Sequence, residues 1–589
     1  MSIRQQLLWN GKKTVGYVNV GDHLDTDCQK IAKDALVFMV TAINGVWKLP
    51  VGYFLTNGVN GEQRSELVKS CVSLLTECGV VVASLTFDGC PSNFAMAKIL
   101  GASFDNIENL NSLINVAGQE IVIFPDPCHM LKLVRNTFAE KFKITNASNE
   151  VISWEYILKL HHYQVSEGLH LGNKLRKSHL EFKKQIMKVR LAVQTLSTSV
   201  AKALLFCKQL KLEEFSNAGP TAEFIEMFNN VFDILNSRKL FAYKFKKPIT
   251  NDNFAQINSF FDKFVKYIKD LKVNDSSILR SGRKTGFLGL ICCVDAIKNL
   301  YKKFICPPNA PLKYLCTYKM SQDHLEIFFG YIRSKGGYNN NPNVLQFMSA
   351  YRRLLIHGEL KNIETGNCLT LEDINILTIN KNNYVRKINS NLIASTTLSN
   401  EDDVLEENLG VIDVPESHDY LNNNQLSEFS KEITAYIAGF IVKKLKKVIK
   451  CGDCLCAILN LEPNLKSFIA FRDVGGLNYP SQDVIKVCEY TERQFRLLLK
   501  THGPQFFANS QIPKIVLQIF KYFSKTNVFA SLYDHIKEQD YLNNHLTLLI
   551  KTIALRYLEV RIHYVLKSDS NEVQKVRHKY TKLILFKGQ

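Results

Sequence analysis

Two short apolar runs constrain this chain more than anything else in it. VVVASLTFDG (80–89) is rich in β-branched residues and stops on Asp88 and Gly89; PSNFAMAKIL then opens a helix with Pro and Ser at its start. IVIF (121–124) is a second short run, followed by PDPCHMLKLVRNTFAEKF, a helical stretch carrying Lys132 and Arg135. Upstream, TVGYVNV (14–20), ALVFMVTAI (35–43) and LPVGYFL (49–55) read as strands, with Asn44-Gly45 as a hairpin turn between the last two. GEQRSELVKSCVSLLTECG (61–79) reads as an amphipathic helix ending at Gly. Strands alternating with helices over residues 1–145 predict a mixed α/β layer.

The pattern changes near residue 145. From 146 to about 300 the chain reads as helical and Lys-rich, without a convincing strand. Residues 378–429 are Asn/Ser-rich and then acidic, which predicts a linker. Residues 430–589 read as a helical C-terminal region. The formal charge of +19 suits a polyanion, nucleic acid ahead of an acidic membrane. No apolar run approaches the roughly 20 residues of a membrane helix. Fifteen Cys without a secretory signal predict free thiols in a reducing compartment.

Three carboxylates stand out. Asp88 sits at the end of a strand, where α/β sheets bind ligands. Asp323 and Glu326 lie three residues apart in SQDHLEIFFGYIRSKGGYNNNP (321–342), a helix running into Arg333, Lys335 and Gly336-Gly337. Carboxylates from separate elements suit a Mg²⁺ site. Asp88 as a helix cap, with Asp323 and Glu326 solvated, is the competing reading. Asp126, Cys128 and His129 of DPCHM fit either metal or DNA contact, or packing at a helix start. Cys451 and Cys454 form a C-x-x-C, but zinc needs about four ligands. Cys488, His502 and His545 are candidates that no spacing selects, so structural thiols are the favoured reading.

Several longer motifs occur in order: ALVFMVTAINGVWKLPVGYFL, SLTFDGCPSN, DPCHMLKLVRN, MKVRLAVQTLSTSVA, FDILNSR, RKTGFLGL, SQDHLEIFFGYIRSKGGYNNNP and RHKYTKLILFKGQ. Together they resemble the P-element-type transposases, the group that includes the THAP-domain transposases, from residue 1 to 589. The resemblance implies an α/β fold: an RNase H-like mixed sheet interrupted by an all-helical GTP-binding insertion domain, plus a helical C-terminal region. The implied segments are 1–145 and 301–377 for the RNase H-like domain and 146–300 for the insertion. It implies Mg²⁺- or Mn²⁺-dependent cleavage and strand transfer on transposon ends and target DNA, by a nuclear homo-oligomer. Asp88 and Glu326 match the second and third catalytic acids. Asp323 matches a residue facing the GTP–Mg²⁺ site, and Arg333 and Lys335 would contact phosphate. Lys174, Lys188, Val189, Phe232, Asp233 and Asn236 match the nucleotide site: Asp233 for guanine, Phe232 for stacking, and Lys174 for phosphate. No Walker-type loop is present.

The family's first catalytic Asp lies in a strand ending D-E-M-S-I, whereas this chain opens MSIRQQ. The resemblance thus places that Asp, its central strand, the THAP zinc module and a coiled coil upstream of Met1. A fragment of a transposase and a decayed or domesticated copy retaining DNA or GTP binding are the two explanations. An RNase H-fold nuclease with other substrates is a third reading.

Overall fold

The computed structural model describes residues 1–20, 30–104, 108–335, 339–357, 375–376, 425–460, 464–508, 511–533, 535 and 544–585. Residues 378–424 of the expected linker, and the expected turn at Gly336-Gly337, lie outside them. The chain forms two compact units. The first holds 1–151, 183–193 and 226–394; the second holds 152–182, 194–225 and 395–589.

In the first unit, β1 (Asp34–Thr41) and β2 (Trp47–Thr56) form the expected antiparallel hairpin, from Asp34↔Thr56 to Thr41↔Lys48, with a bulge at Phe38/Met39. The connection runs over 42–46 and is closed by Ala42 N–H donating to the Trp47 carbonyl at 3.0 Å. TVGYVNV is not one strand. Thr14–Val15 pairs with Leu8–Trp9, Gly16 turns the backbone at φ +118°, and beyond it Tyr17 and Asn19 make only isolated bridges, to Ile31 and Leu55. α1 (Gly61–Glu77) follows, its start fixed by a reciprocal Asn60–Gln63 capping box.

β3 is shorter than expected, at Ser84–Phe87. The Gln119 side chain holds 80–82 instead, accepting from Val82 N–H at 2.7 Å and donating to the Val80 carbonyl at 3.0 Å. α2 (Pro91–Ile99), β4 (Leu113–Val116), β5 (Gln119–Pro125) and α3 (Pro127–Lys141) complete the alternation. β3 runs parallel to β5, and β4 antiparallel to it. Helix α4 (Gly219–Leu235) enters this unit at residue 226. Short strands at Lys272–Val273 and Ser276–Ser277 interrupt the helical stretch, joined by Asn274 and Asp275 at φ +48° and +61°. Two consecutive residues of positive φ make the hairpin turn that a right-twisted ribbon favours.

α5 (Thr285–Phe304) packs against α3, and the contact depends on glycine. A Cβ on Gly286 would lie 2.9 Å from both Leu133 Cβ and the Met130 carbonyl. Cys292 and Cys293 are fully buried on this helix, and Cys293 Sγ–H donates to the Pro125 carbonyl at 2.9 Å. α6 (Asp323–Lys335), α7 (Val344–His357) and β6 (Asn375–Ile376) close the unit. β1 to β6 form two sheets of three, in orders β6-β2-β1 and β3-β5-β4. Phe328, Phe347 and Leu354 cover the first sheet; Val68, Met96 and Leu288 share the core of the second.

The second unit is mainly helical: α8 (Glu428–Leu445), α9 (Gly452–Ile458), α10 (Gln482–His502), α11 (Ile512–Phe523) and α12 (His545–Leu585). Glu492 of α10, fully buried, ties three helices together. It accepts from Arg561 at 2.7 and 2.9 Å, from Tyr557 at 2.9 Å and from Arg496 at 2.8 Å, while Arg496 also reaches Ser430 at 2.7 Å. Burial pushes the Glu492 carboxyl up, but the two guanidinium groups outweigh it and hold its pKa below the ordinary value. Among the described residues no helix is long and apolar enough to cross a membrane.

Candidate active site

Asp88 follows the last residue of β3. Its Oδ1 accepts from Cys90 N–H at 3.0 Å and Asn93 Nδ2 at 2.8 Å. The N-cap of α2 is Cys90, not Asp88; Asp88 instead braces the turn before the helix. Two hydrogen bonds then bring the distant α6 to the same end of the sheet. Thr86 Oγ1 donates to the Met320 carbonyl at 2.7 Å, and Gln322 N–H donates to Asp126 Oδ1 at 3.1 Å.

Asp126 is 1% exposed and caps α3. Its Oδ2 accepts from His129 N–H at 3.0 Å and lies 2.7 Å from His129 Nδ1. On its other side, His129 Nε2 stands 3.7 Å from Glu326 Oε1. Burial alone would lower the His129 pKa. The bond to Asp126 and the charges of Asp126 and Glu326 outweigh it and raise the pKa above the ordinary value. One turn further, Lys132 is 4% exposed. Burial lowers its pKa, while Glu326, Asp88 and Asp126, in that order, stabilise its charge. Glu326 and Asp88 thus both bear electrostatically on Lys132, and the Thr86–Met320 and Gln322–Asp126 hydrogen bonds hold their elements at one end of the sheet. Two carboxylates there are a donor set that suits a hard divalent ion completed by water and phosphate oxygens.

Asp323 points elsewhere. Its Oδ2 is 3.2 Å from Arg238 Nη2, and the same guanidinium contacts Asn236 Oδ1 at 3.3 Å and lies 3.7 Å over the Tyr318 ring. Arg238 thus joins Asp323 to the FDILNSR segment. Asp233, on α4, accepts from Asn229 Nδ2 at 3.0 Å; burial pushes its carboxyl up, against the charge of Lys246 and the Asn229 bond. Phe232 is 7% exposed, so its ring offers no free face to stack on a base.

Lys188 is exposed and Val189 half-buried, at the start of the helix Val189–Thr195. Lys188 N–H bonds the Gln185 carbonyl at 3.1 Å, and so does Arg135 Nη2 at 3.2 Å. Arg135 is fully buried, and its Nε and Nη1 meet no acceptor among the described residues. Burial lowers its pKa to about 10. Orphaned guanidinium N–H groups beside the Lys188 turn fit an anionic ligand such as a nucleotide. Lys174 lies in the second unit, half-buried in the segment between helices Glu155–Glu167 and Lys177–Leu180.

The sequence leaves DPCHM open between chemistry and packing. The i, i+3 and i+6 positions of Asp126, His129 and Lys132, all on one helix face, are the signal that favours chemistry. Arg238 stands in the FDILNSR motif, two residues past Asn236.

Comparison with known proteins matches four segments to family descriptions: "TNP-like, RNase H N-terminal domain" over 1–101, "TNP-like, GTP-binding insertion domain" over 128–248, "TNP-like, RNase H C-terminal domain" over 318–352, and "DNA transposase THAP9, C-terminal domain" over 425–567. Fold and matches together define an RNase H-like protein with a GTP-binding insertion domain. Human "DNA transposase THAP9" is 26% identical over 95% of this chain and 62% of its own length. "Transposable element P transposase" of Drosophila melanogaster is 24% identical over 69% of this chain and 51% of its own. The solved "Drosophila P element transposase strand transfer complex" superposes with a TM-score of 0.51 at 21% identity, covering 60% of this chain and 74% of that one. The chain belongs to the P-element-type transposase family, and it spans about half to two-thirds of the length of these curated relatives.

Proposed function

We propose that this protein acts as a DNA transposase, cutting phosphodiester bonds at element ends and transferring a 3′-hydroxyl to target DNA in the nucleus. The observation that carries this reading is the pair of hydrogen bonds, Thr86 Oγ1 to the Met320 carbonyl and Gln322 N–H to Asp126 Oδ1, that bring the Glu326 helix to the strand end followed by Asp88. These two carboxylates would hold Mg²⁺ or Mn²⁺. Such an ion, when bound, polarises a phosphate oxygen and acidifies a water or 3′-hydroxyl. Lys132 keeps the two acids together beforehand and offers a positive contact to phosphate. His129, oriented by Asp126, fixes Glu326 from the side.

In the same reading, GTP binds in the first unit with Asp233 accepting guanine N–H groups and Lys188 and Arg135 facing phosphate. Asn236 and Asp323, joined by Arg238, border that site. The charge of +19 supports a DNA partner.

The test incubates the full chain and Mg²⁺ with end-labelled duplex carrying its own element's ends. Asp88→Asn and Glu326→Gln should each lower cleavage by about 10²-fold or more, with DNA and GTP affinities unchanged. Cleavage at the wild-type rate in either variant would sink the assignment. A second reading is a domesticated protein that binds DNA and GTP without cutting. Tight binding with no cleavage by the wild-type chain would select it.

A further inference from the structure

The second unit brings together four side chains that the transposase reading leaves without a role. Cys451 caps α9, and Cys454 lies one turn into it, so both thiols share a face. His545 is the first residue of α12, and His535 follows the short helix Ala530–Leu532. Cys451 Sγ is 3.3 Å from His535 Nε2, Cys454 Sγ is 3.6 Å from His545 Nδ1, and the two imidazole nitrogens are 3.0 Å apart. All four ligand atoms lie within 4.8 Å of one another. Bonds of about 2.3 Å to sulfur and about 2.0 Å to nitrogen place the corners of a tetrahedral zinc site roughly 3.3–3.8 Å apart. The two sulfur–nitrogen edges, 3.3 and 3.6 Å, are of that size, and the nitrogen–nitrogen edge, 3.0 Å, is slightly shorter.

The surroundings suit a metal too. His535 Nδ1 is 3.4 Å from Asp453 Oδ2. A proton held there by the carboxylate leaves Nε2 with its lone pair facing the cluster, the usual way a metal-bound imidazole is oriented. With Nε2 and His545 Nδ1 facing each other and both thiols adjacent, one cation satisfies all four groups at once.

We infer that Cys451, Cys454, His535 and His545 form a structural zinc site, with both cysteines as thiolates. Two thiolates and two imidazoles fill the four positions of zinc and leave none for a substrate. Binding releases one proton from each thiol, and the two thiolates cancel the charge of Zn²⁺. The site joins α9 to the start of α12, closing the chain around α10 and α11. This overturns the structural-thiol reading of the C-x-x-C. The alternatives fall away on position: Cys488 is fully buried inside α10, and His502 stacks on Phe506, with ring centroids 4.6 Å apart. The sequence hides the pairing because the histidines are ten residues apart, outside the spacing of common zinc motifs.

The test uses the untagged full chain, purified without chelator. Metal analysis should find about one zinc per chain. Cys454→Ser and His545→Ala should each lose most of it, while Cys456→Ser, a neighbouring exposed thiol outside the cluster, should retain it. Because those variants can misfold, the wild-type chain is also loaded with Co²⁺ after zinc removal. Tetrahedral visible bands and a thiolate-to-cobalt charge-transfer band are expected. Absence of both bands, or undiminished zinc in Cys454→Ser and His545→Ala, overturns the site.

Discussion

Single residues here do their work by being aimed at one partner. Asp233 illustrates this: burial raises its pKa, and Asn229 occupies Oδ2. As a guanine acceptor it must be ionised. A raised pKa means that the ionised form is complete only above the ordinary carboxylate range, and is lost early as pH falls. GTP affinity should therefore be flat at neutral pH and weaken on mild acidification, before exposed carboxylates titrate. Asp233→Asn, which presents a donor where an acceptor is needed, should lower the preference for GTP over ATP by about 10-fold or more. Calorimetry across pH with both nucleotides checks this; a variant with wild-type selectivity would remove Asp233 from the base site. What the sequence shows at this scale is uneven. Asp88 and Glu326 stand out in the sequence because each sits in a long motif. Lys132 and Arg238 stand out less, since a Lys or Arg is ordinary until the fold brings it a carboxylate from far along the chain, Glu326 for Lys132 and Asp323, 85 residues on, for Arg238. Phe232 shows the reverse: an aromatic beside Asp233 reads as a stacking face, and packing has covered it.

At the scale of elements, strand and helix types followed from punctuation and periodicity, but their ends did not. β3 lost its first four expected residues to a side chain, Gln119, that no local pattern connects to Val80 and Val82. TVGYVNV is broken at Gly16 into a two-residue strand and two isolated bridges. The RKTGFLGL motif gains a physical reason: Gly286 lets α5 lie directly on α3 at Leu133 and Met130. α3 carries Asp126, His129 and Lys132, so this contact sets the position of the site from behind. Gly286→Val should push α3 outward. The expected cost is about 1–3 kcal/mol of unit stability from overpacking, together with loss of cleavage out of proportion to the loss of fold. Denaturant unfolding followed beside the cleavage assay reads both; full activity in Gly286→Val would mean that α3 does not position the acids.

The whole molecule has two units, and each buries a neutral histidine. In the second, His170 is 4% exposed, neither ring nitrogen meets a partner among the described residues, and burial, with positive charge on His161, Arg176 and Arg561, lowers its pKa to about 3. In the first, His324 is 3% exposed; burial and the charges of Lys48, Arg238 and Lys319 lower it to about 3, against a bond to the Tyr318 backbone. An unfolded histidine takes up its proton near pH 6.5. Between that pH and about 3 the unfolded chain binds a proton at each position that the folded chain refuses. Their contribution is therefore fully present above pH 6.5 and is lost as pH falls, at about 1.4 kcal/mol per pH unit for each histidine. Because the two lie in different units, each should set the acid sensitivity of its own. Hydrogen exchange resolved by unit, from pH 6.5 to 4.5, should show His170→Leu flattening the pH slope in the second unit alone and His324→Leu flattening it in the first alone. Slopes that stay as steep in both variants would mean that other groups carry the acid response, and that these imidazoles are protonated inside the folded protein.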